Sequence, residues 1–251
     1  MTDDARIAEA AAVLRSARRT LAFTGAGISV ESGIPPFRGA DGLWGRLDPS
    51  RLEIAAFRRD PAGAWPLLAA LFYDRLAEAE PNPAHRALAA LEGAGLLAAV
   101  VTQNVDGLHR AAGNRTVHEL HGTLRRLDCL ACGARYPLAG TGLGELPPTC
   151  RMCGGLLRPA IVFFGEGLPE PARSDAFREA AACDAILVIG TSGEVLPAAL
   201  VPWTAADRGA TVIEVNTAPS AYTGPVTDLF LEGPAAATLA RLAAHLDLGP
   251  V

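Results

Sequence analysis

Lysine is missing from all 251 residues, so the Lys+Arg total of 22 is entirely arginine. That absence excludes a Walker-type phosphate loop, a Schiff-base enzyme and a Ser–Lys hydrolase, each of which needs the primary amine. Positive charge is short overall: 27 acidic residues against 22 arginines leave a net charge of -5 and a pI near 5.6. A broad basic face for nucleic acid is therefore not expected. No apolar run reaches the ~18 residues of a membrane span, and the acidic start lacks the basic-then-apolar order of a secretory signal. A cytoplasmic protein with no membrane attachment is the expectation. Cysteine is scarce at five, and four of the five fall into two C-x-x-C pairs, leaving Cys183 in an apolar stretch as a core thiol.

What is present in quantity is apolar surface, at 50% of residues, enough for one main domain and a smaller lobe. Residues 20–46 are the organising stretch: Leu21, Ala22 and Phe23 read as a strand running straight into Gly25-Ala26-Gly27. Glycines there are expected to take φ > 0 and to bring amides close to a nucleotide diphosphate at a helix start. Against a G-x-G-x-x-G fingerprint the match is partial, because Val30 stands at the third glycine position, and no acidic residue follows at the end of a second strand. An ordinary dehydrogenase is disfavoured. Phe37 and Arg38, on the proline-stiffened loop 35–39, place an aromatic ring and a cation where a cofactor head group would lie.

Along the chain, apolar spacing predicts a helix over 7–18 and short helices over 47–84, interrupted at Pro61 and Pro66 and ended by Pro81-Asn82-Pro83. A helix over 84–97 and a buried strand over 97–101 follow, then polar residues 102–106 at the strand's carboxyl end, where open α/β sheets bind ligands. Runs 186–189 and 211–215 read as two further strands, ending at Gly190-Thr191-Ser192 and Asn216. Strands alternating with helices predict an α/β, Rossmann-like doubly wound parallel sheet. The expected division is residues 1–46, 85–123 and 157–251 for that domain, 47–84 for a helical insertion and 124–156 for a zinc-ribbon module, the last two forming a small lobe.

Cys129-x-x-Cys132 and Cys150-x-x-Cys153, with 17 residues between the pairs, fit a four-thiolate zinc ribbon. With all four cysteines used as ligands no position stays open for water, so one structural zinc is expected. Asn104, Asp106, His118 and His121 are the candidate chemical groups. His85, His109, His118 and His245 read as structural, whereas His121 precedes the cysteine segment at the junction of two lobes, where clefts form. An imidazole titrating near neutrality suits proton removal from a sugar hydroxyl.

The segments GAGISVESGIPPFRG, TQNVDGLH, ELHG, the paired C-x-x-C, RPAIVFFGE, GTS and EVN occur in this order from about residue 21 to 235. In these motifs the chain resembles the sirtuins of the bacterial type, NAD-dependent protein lysine deacylases. The resemblance implies a cleft between the two lobes where NAD and an acyl-lysine peptide meet. It implies that Gly25, Ala26, Gly27, Phe37 and Arg38 bind the cofactor, with Gln103, Asn104, Val105 and Asp106 around nicotinamide and its ribose. Gly190, Thr191 and Ser192 would approach the phosphates and adenosine, and Asn216 and Ala235 would flank the adenosine end. His121 would be the general base, with Asn104 the second catalytic residue, and Val162, Phe163, Phe164, Gly165 and Glu166 would hold the peptide by main-chain pairing. The implied reaction transfers the acyl group to ADP-ribose and releases nicotinamide and free lysine. A monomer is expected.

Two features bear on the acyl group. Pro36 stands where deacetylating relatives carry Asp and a desuccinylating branch Thr. That branch also grips a substrate carboxylate with Tyr-x-x-Arg, and here the nearest match, Tyr73-Asp74-Arg75, is one residue short. On a helix a two-residue spacing turns side chains roughly 200° apart, so the pair would not converge. Acetyl-lysine or another neutral acyl-lysine is the expected substrate, with Leu68, Leu71 and Phe72 as an apolar wall. The alternatives are a desuccinylase or demalonylase of the same family, an ADP-ribosyltransferase or NAD hydrolase, and a non-catalytic zinc-ribbon binding module.

Overall fold

A computed structural model describes residues 2–36, 42, 45, 48–76, 78–139 and 143–251, with the side chain of Arg75 outside that description. Helix α1 (Asp3–Ser16) starts on Thr2, whose hydroxyl accepts from the Ala5 amide, and carries Asp3 and Asp4 in its first turn. Both features suit the exposed donors and positive pole of a helix start. The buried strand β1 (Thr20–Thr24) leads into a 3-10 helix, Ala26–Ser32. Short helical pieces follow: a 3-10 turn Pro49–Leu52, α2 (Ile54–Arg59), α3 (Pro61–Leu68), a π turn Ala69–Tyr73 and α4 (Asp74–Leu76). Pro61 occupies the start of α3, where its missing N–H costs nothing. Pro66 was expected to interrupt the segment, yet it lies inside α3 and the chain continues helically into the π turn.

The remaining elements are α5 (Pro83–Gly93), β2 (Ala99–Thr102), α6 (Leu108–Ala112), β3 (Val117–Glu119), β4 (Gly122–Cys129), β5 (Arg135–Pro137) and β6 (Leu157–Ile161). Then come α7 (Ala172–Ala182), β7 (Ala185–Ile189), α8 (Leu200–Asp207), β8 (Thr211–Asn216), β9 (Leu229–Glu232) and α9 (Ala235–His245). Strands β3-β2-β1-β7-β8-β9 form one sheet in that order, every neighbouring pair parallel. Alternate residues serve opposite faces. Ala22, Leu187 and Ile189 join Ile7, Leu88 and Leu239 in one core, while Leu21, Phe23, Ile186 and Val188 join Ala180, Val201 and Tyr222 in the other. Strands covered on both faces have to be apolar throughout, which is why Ala-Ile-Leu-Val-Ile at 185–189 shows no alternation.

A second sheet, β5-β4-β6, is antiparallel. Its Leu124, Leu127 and Leu157 share a core with Phe57, Trp65 and Tyr73 from the helical pieces, and the Trp65 indole donates to the Leu157 carbonyl at 3.0 Å. Helical insertion and cysteine module are thus one packed unit. Strand order reverses between β1 and β7, and ligands of such sheets bind at that crevice. Among the described residues no helix is long and apolar enough to cross a membrane.

Candidate functional site

At the crevice the turn after β1 interlocks with the turn after β7. The Gly25 amide donates to Ile189 O at 3.0 Å and the Gly27 amide to Gly190 O at 2.8 Å. A Cβ on Gly25 would lie 2.7 Å from Gly190 O, and one on Gly27 2.6 Å from Gly190 Cα. Positive φ belongs to Gly190 (φ 60), whereas Gly25 has an extended φ of -123. The expectation of left-handed glycines in the first turn is thereby corrected: backbone-to-backbone packing demands Gly25 and Gly27. The helix that follows is a seven-residue 3-10 segment, so its dipole is a weaker anion site than the α-helix start that the glycine pattern suggested.

A cleft of about 860 Å³ runs along these strand ends to the small lobe. Residues 25–27, 103–105, 190–192 and 162–166 line it, together with His121, Asn216 and Ala235. Asp106 lies in an adjoining recess of about 40 Å³ with Ser29, Asn104, Leu71, Phe72 and Leu76. Phe37 and Arg38 fall outside the described residues. The candidate residues from seven separate stretches therefore converge on one continuous space.

His121 follows β3, and Gly122 (φ 77) then turns the chain into β4, where a Cβ would meet Ala160 O at 2.1 Å. The imidazole Nδ1 lies 2.9 Å from Gln103 O. A carbonyl only accepts, so Nδ1 carries the proton and Nε2 is left with its lone pair. Burial lowers the pKa below the usual 6.5, against the smaller opposing effect of the Gln103 bond, and the ring is neutral at pH 7.

Beyond it the polar groups interlock. Asn104 Nδ2 donates to Gly25 O and to the Ser29 hydroxyl oxygen, both at 3.1 Å, and Ser29 donates to Asp106 Oδ2 at 2.8 Å. Asp106 Oδ1 accepts from the Leu108 amide at 2.9 Å. Burial raises the Asp106 pKa, these hydrogen bonds oppose the rise, and so does the Arg125 charge. The Gln103 amide donates to Thr191 Oγ1 at 2.9 Å, joining the β2 end to the β7 end. Ser29 was not singled out from sequence, although it stands two residues after Gly27 and faces Asn104 and Asp106. His85 joins the same cluster, 3.5 Å from Ser29 Oγ, and packs its ring against His109 at 4.9 Å between centroids. Burial pushes the His85 pKa down to about 4, consistent with a neutral ring serving structure.

Residues 162–166 form a loop beyond β6. Arg158 holds it from below, its guanidinium 2.5 Å from both Glu166 oxygens and 4.8 Å from the Phe163 ring centroid. The Glu166 carboxylate in turn accepts from the Phe163 amide at 3.0 Å. Phe164 pairs with residues 52–54 of the small lobe, its amide donating to Leu52 O and its carbonyl accepting from the Ile54 amide, each at 3.0 Å. Part of the loop's main-chain capacity is therefore committed to the protein itself.

The sulfurs of Cys129, Cys132, Cys150 and Cys153 all lie within 4.8 Å of one another. Cys129–Cys153 and Cys132–Cys150 Sγ separations are 3.6 and 3.7 Å. A tetrahedral zinc with Zn–S of ~2.3 Å requires S···S near ~3.8 Å, against ~2.05 Å for a disulfide. The donors fit zinc. Gly133 and Gly154, both at φ 72, turn the chain after each C-x-x-C pair. None of the four lines the cleft, so the metal would serve structure.

Tyr73, at the end of the π turn, stacks on Trp65 at 6.1 Å and lines neither the cleft nor the recess. Leu71, Phe72 and Leu76 line the recess, whereas Leu68, expected beside Leu71 and Phe72 in an apolar wall, is in the small-lobe core.

An open parallel sheet with a crevice of dinucleotide size at its switch point, a half-buried neutral imidazole lining that crevice and a second lobe built around four clustered cysteines define a dinucleotide-dependent enzyme rather than a binding module. The chain belongs to the Sir2 family, whose model matches residues 25–197. It is 49% identical over 235 residues to NAD-dependent protein deacylase 2 of Pyrobaculum aerophilum, covering 92% of each. A solved Sir2 homolog–NAD complex is 40% identical with a TM-score of 0.88, the match covering 96% of this chain and 94% of that one. A Sir2 structure with a deacetylated p53 peptide and 3′-O-acetyl ADP-ribose is 33% identical with a TM-score of 0.88, covering 94% and 96%.

Proposed function

We propose that this chain is an NAD-dependent protein lysine deacylase that removes neutral acyl groups, acetyl foremost, and yields nicotinamide and O-acyl-ADP-ribose. The observation that carries the reading is His121: its Nδ1 is committed to Gln103 O at 2.9 Å, and the ring lines the cleft between the cofactor turns and the 162–166 loop. Bound NAD supplies a ribose whose nicotinamide can be displaced. Gly25, Ala26 and Gly27, with Gly190, Thr191 and Ser192, form the floor for its phosphates, and Asn216 and Ala235 flank the adenosine end. Asn104 and Asp106 border the recess that takes nicotinamide, ordered through Ser29. Val105 closes the recess beside Leu124.

His121 Nε2 takes the proton from a ribose hydroxyl as that oxygen attacks the carbon derived from the acyl carbonyl. The neutral ring that burial enforces is the form able to do so. Residues 162–166 seat the acyl-lysine strand against the cleft. One zinc held by Cys129, Cys132, Cys150 and Cys153 staples the lobe that carries the peptide-side residues. The reading includes the division 1–46, 85–123 and 157–251 against 47–84 and 124–156, a monomeric state and a cytoplasmic location.

The neutral acyl preference rests on the cleft beside His121, which Leu52, Phe72, Ile161 and Phe163 line with no arginine among the described lining residues. A buried carboxylate needs a paired cation to offset its desolvation. The test is mass spectrometry of the products from NAD and an acetyl-lysine peptide. Deacylated peptide with O-acetyl-ADP-ribose supports the proposal; free ADP-ribose alone, or ADP-ribosylated peptide, refutes it.

A further inference from the structure

Glu214 on β8 is fully buried, and among the described residues no cation forms an ion pair with it. Its oxygens are met by four side-chain donors instead. Asn216 Nδ2 and the Ser220 hydroxyl reach Oε1 at 3.3 and 2.5 Å, and the Thr223 and Thr227 hydroxyls reach Oε2 at 2.7 Å each. All four belong to the stretch from the end of β8 to just before β9, which has no strand or helix of its own over 217–228. One carboxylate gathers that whole connection onto the sheet.

The same connection forms a wall of the cleft through Thr217, Ala218, Pro219 and Ser220. It is also fixed against the segment between β7 and α8, since the Ala221 amide donates to Ser192 O at 3.1 Å and the buried Tyr222 hydroxyl donates to Ala199 O at 3.0 Å. Asn216 Nδ2 has a second acceptor, Thr191 O, at 2.9 Å. Both neighbours of that nitrogen accept and neither donates, so the amide orientation is determined and Oδ1 is the group left to meet a ligand donor.

We propose that Glu214 is a positioning residue for the cofactor. Without touching it, Glu214 turns Asn216 so that Oδ1 accepts from a ribose hydroxyl at the adenosine end, and it holds residues 217–220 in the bound shape before NAD arrives. Ordering that connection in advance removes an entropy cost from binding. The role rests on the assignment of this cleft to NAD.

The test compares the full chain with Glu214→Gln and Thr227→Val, reading kcat, KM for NAD and for an acetyl-lysine peptide, the calorimetric Kd of ADP-ribose, and Tm. Glu214→Gln loses one acceptor oxygen and the charge on four hydrogen bonds, and raises KM for NAD and Kd for ADP-ribose about tenfold, the size of one charge-assisted bond reduced to a neutral one. The kcat and the peptide KM stay within about twofold. Thr227→Val, which lies away from the cleft, moves the same two constants about threefold in the same direction. A folded Glu214→Gln protein with the parent's KM for NAD overturns the role, as does a parallel loss in peptide KM and kcat. Should Glu214→Gln fail to fold, an unchanged KM for NAD in Thr227→Val overturns it. A parent chain that binds no ADP-ribose refutes the cofactor assignment itself, a result separable from either variant's.

Discussion

Replacing Tyr73 by Phe is expected to leave the protein as stable as before or more so, and to leave its acyl preference unchanged. The ring is almost wholly buried against Trp65, and the hydroxyl has no hydrogen-bond partner among the described residues. Burial pushes the phenol pKa well up, so the group stays a neutral, unpaired hydroxyl at any working pH. Desolvating such a hydroxyl without a partner costs ~1–3 kcal/mol. Phe keeps the stacking and removes the oxygen, leaving a void smaller than a methyl group whose cost is under ~1 kcal/mol. The net expectation is a gain of ~0–2 kcal/mol, or a Tm rise of up to about 8 °C in a chain of this size. Differential scanning calorimetry gives the Tm, and kcat/KM for acetyl and succinyl forms of one peptide gives the preference. A Tm drop beyond about 3 °C means that the hydroxyl is bonded after all. A preference for succinyl in the parent that disappears in the variant means that Tyr73 reaches a substrate carboxylate, and the apolar account of the acyl site is then wrong.

Three further outcomes follow from the geometry. Activity falls on the acid side as His121 takes its proton, and because burial lowers that pKa the fall lies below pH 6.5; a kcat/KM profile already declining above that pH contradicts the neutral-base reading. Stability has the same sign for His85, whose pKa is lowered to about 4: the unfolded chain takes up protons first, so stability present above pH 6.5 is lost towards pH 4. Arg158→Met removes the pair to Glu166 and the contact to Phe163, raising the peptide KM by about tenfold while the KM for NAD holds; equal changes in both would show a general loss of fold. Cys150→Ser is expected to release the single zinc and unfold the small lobe, read as metal content and proteolysis within 124–156; active protein free of zinc refutes the structural assignment.

The sheet was legible where burial on both faces forces unbroken apolar runs, as in β1 and β7, and where a turn residue marks the strand end, as at Gly190 and Asn216. The cysteine spacing was legible because tetrahedral ligation leaves few alternatives. Strand β9 was not, since Leu229–Glu232 is four residues long and follows a connection whose order comes from Glu214, a tertiary contact. Composition likewise gave the wrong reason for Gly25 and Gly27: their need for space is set by Gly190, 163 residues beyond Gly27 in sequence. Ser29 escaped notice because a serine acquires a role only from what faces it, here Asn104 and Asp106. Pro66 marks a break in most helices, yet packing of Trp65 and Leu68 into the shared core carries the helix through it.

The central claim is that His121 supplies the base for acyl transfer to an NAD-derived ribose, and product analysis of His121→Ala tests it most directly. With NAD and an acetyl-lysine peptide, the parent is expected to form nicotinamide, O-acetyl-ADP-ribose and deacylated peptide in equal amounts. The variant is expected to bind ADP-ribose with parental affinity while O-acetyl-ADP-ribose formation falls by about 10²–10⁴-fold. Near-parental formation of O-acetyl-ADP-ribose by the variant would contradict the account.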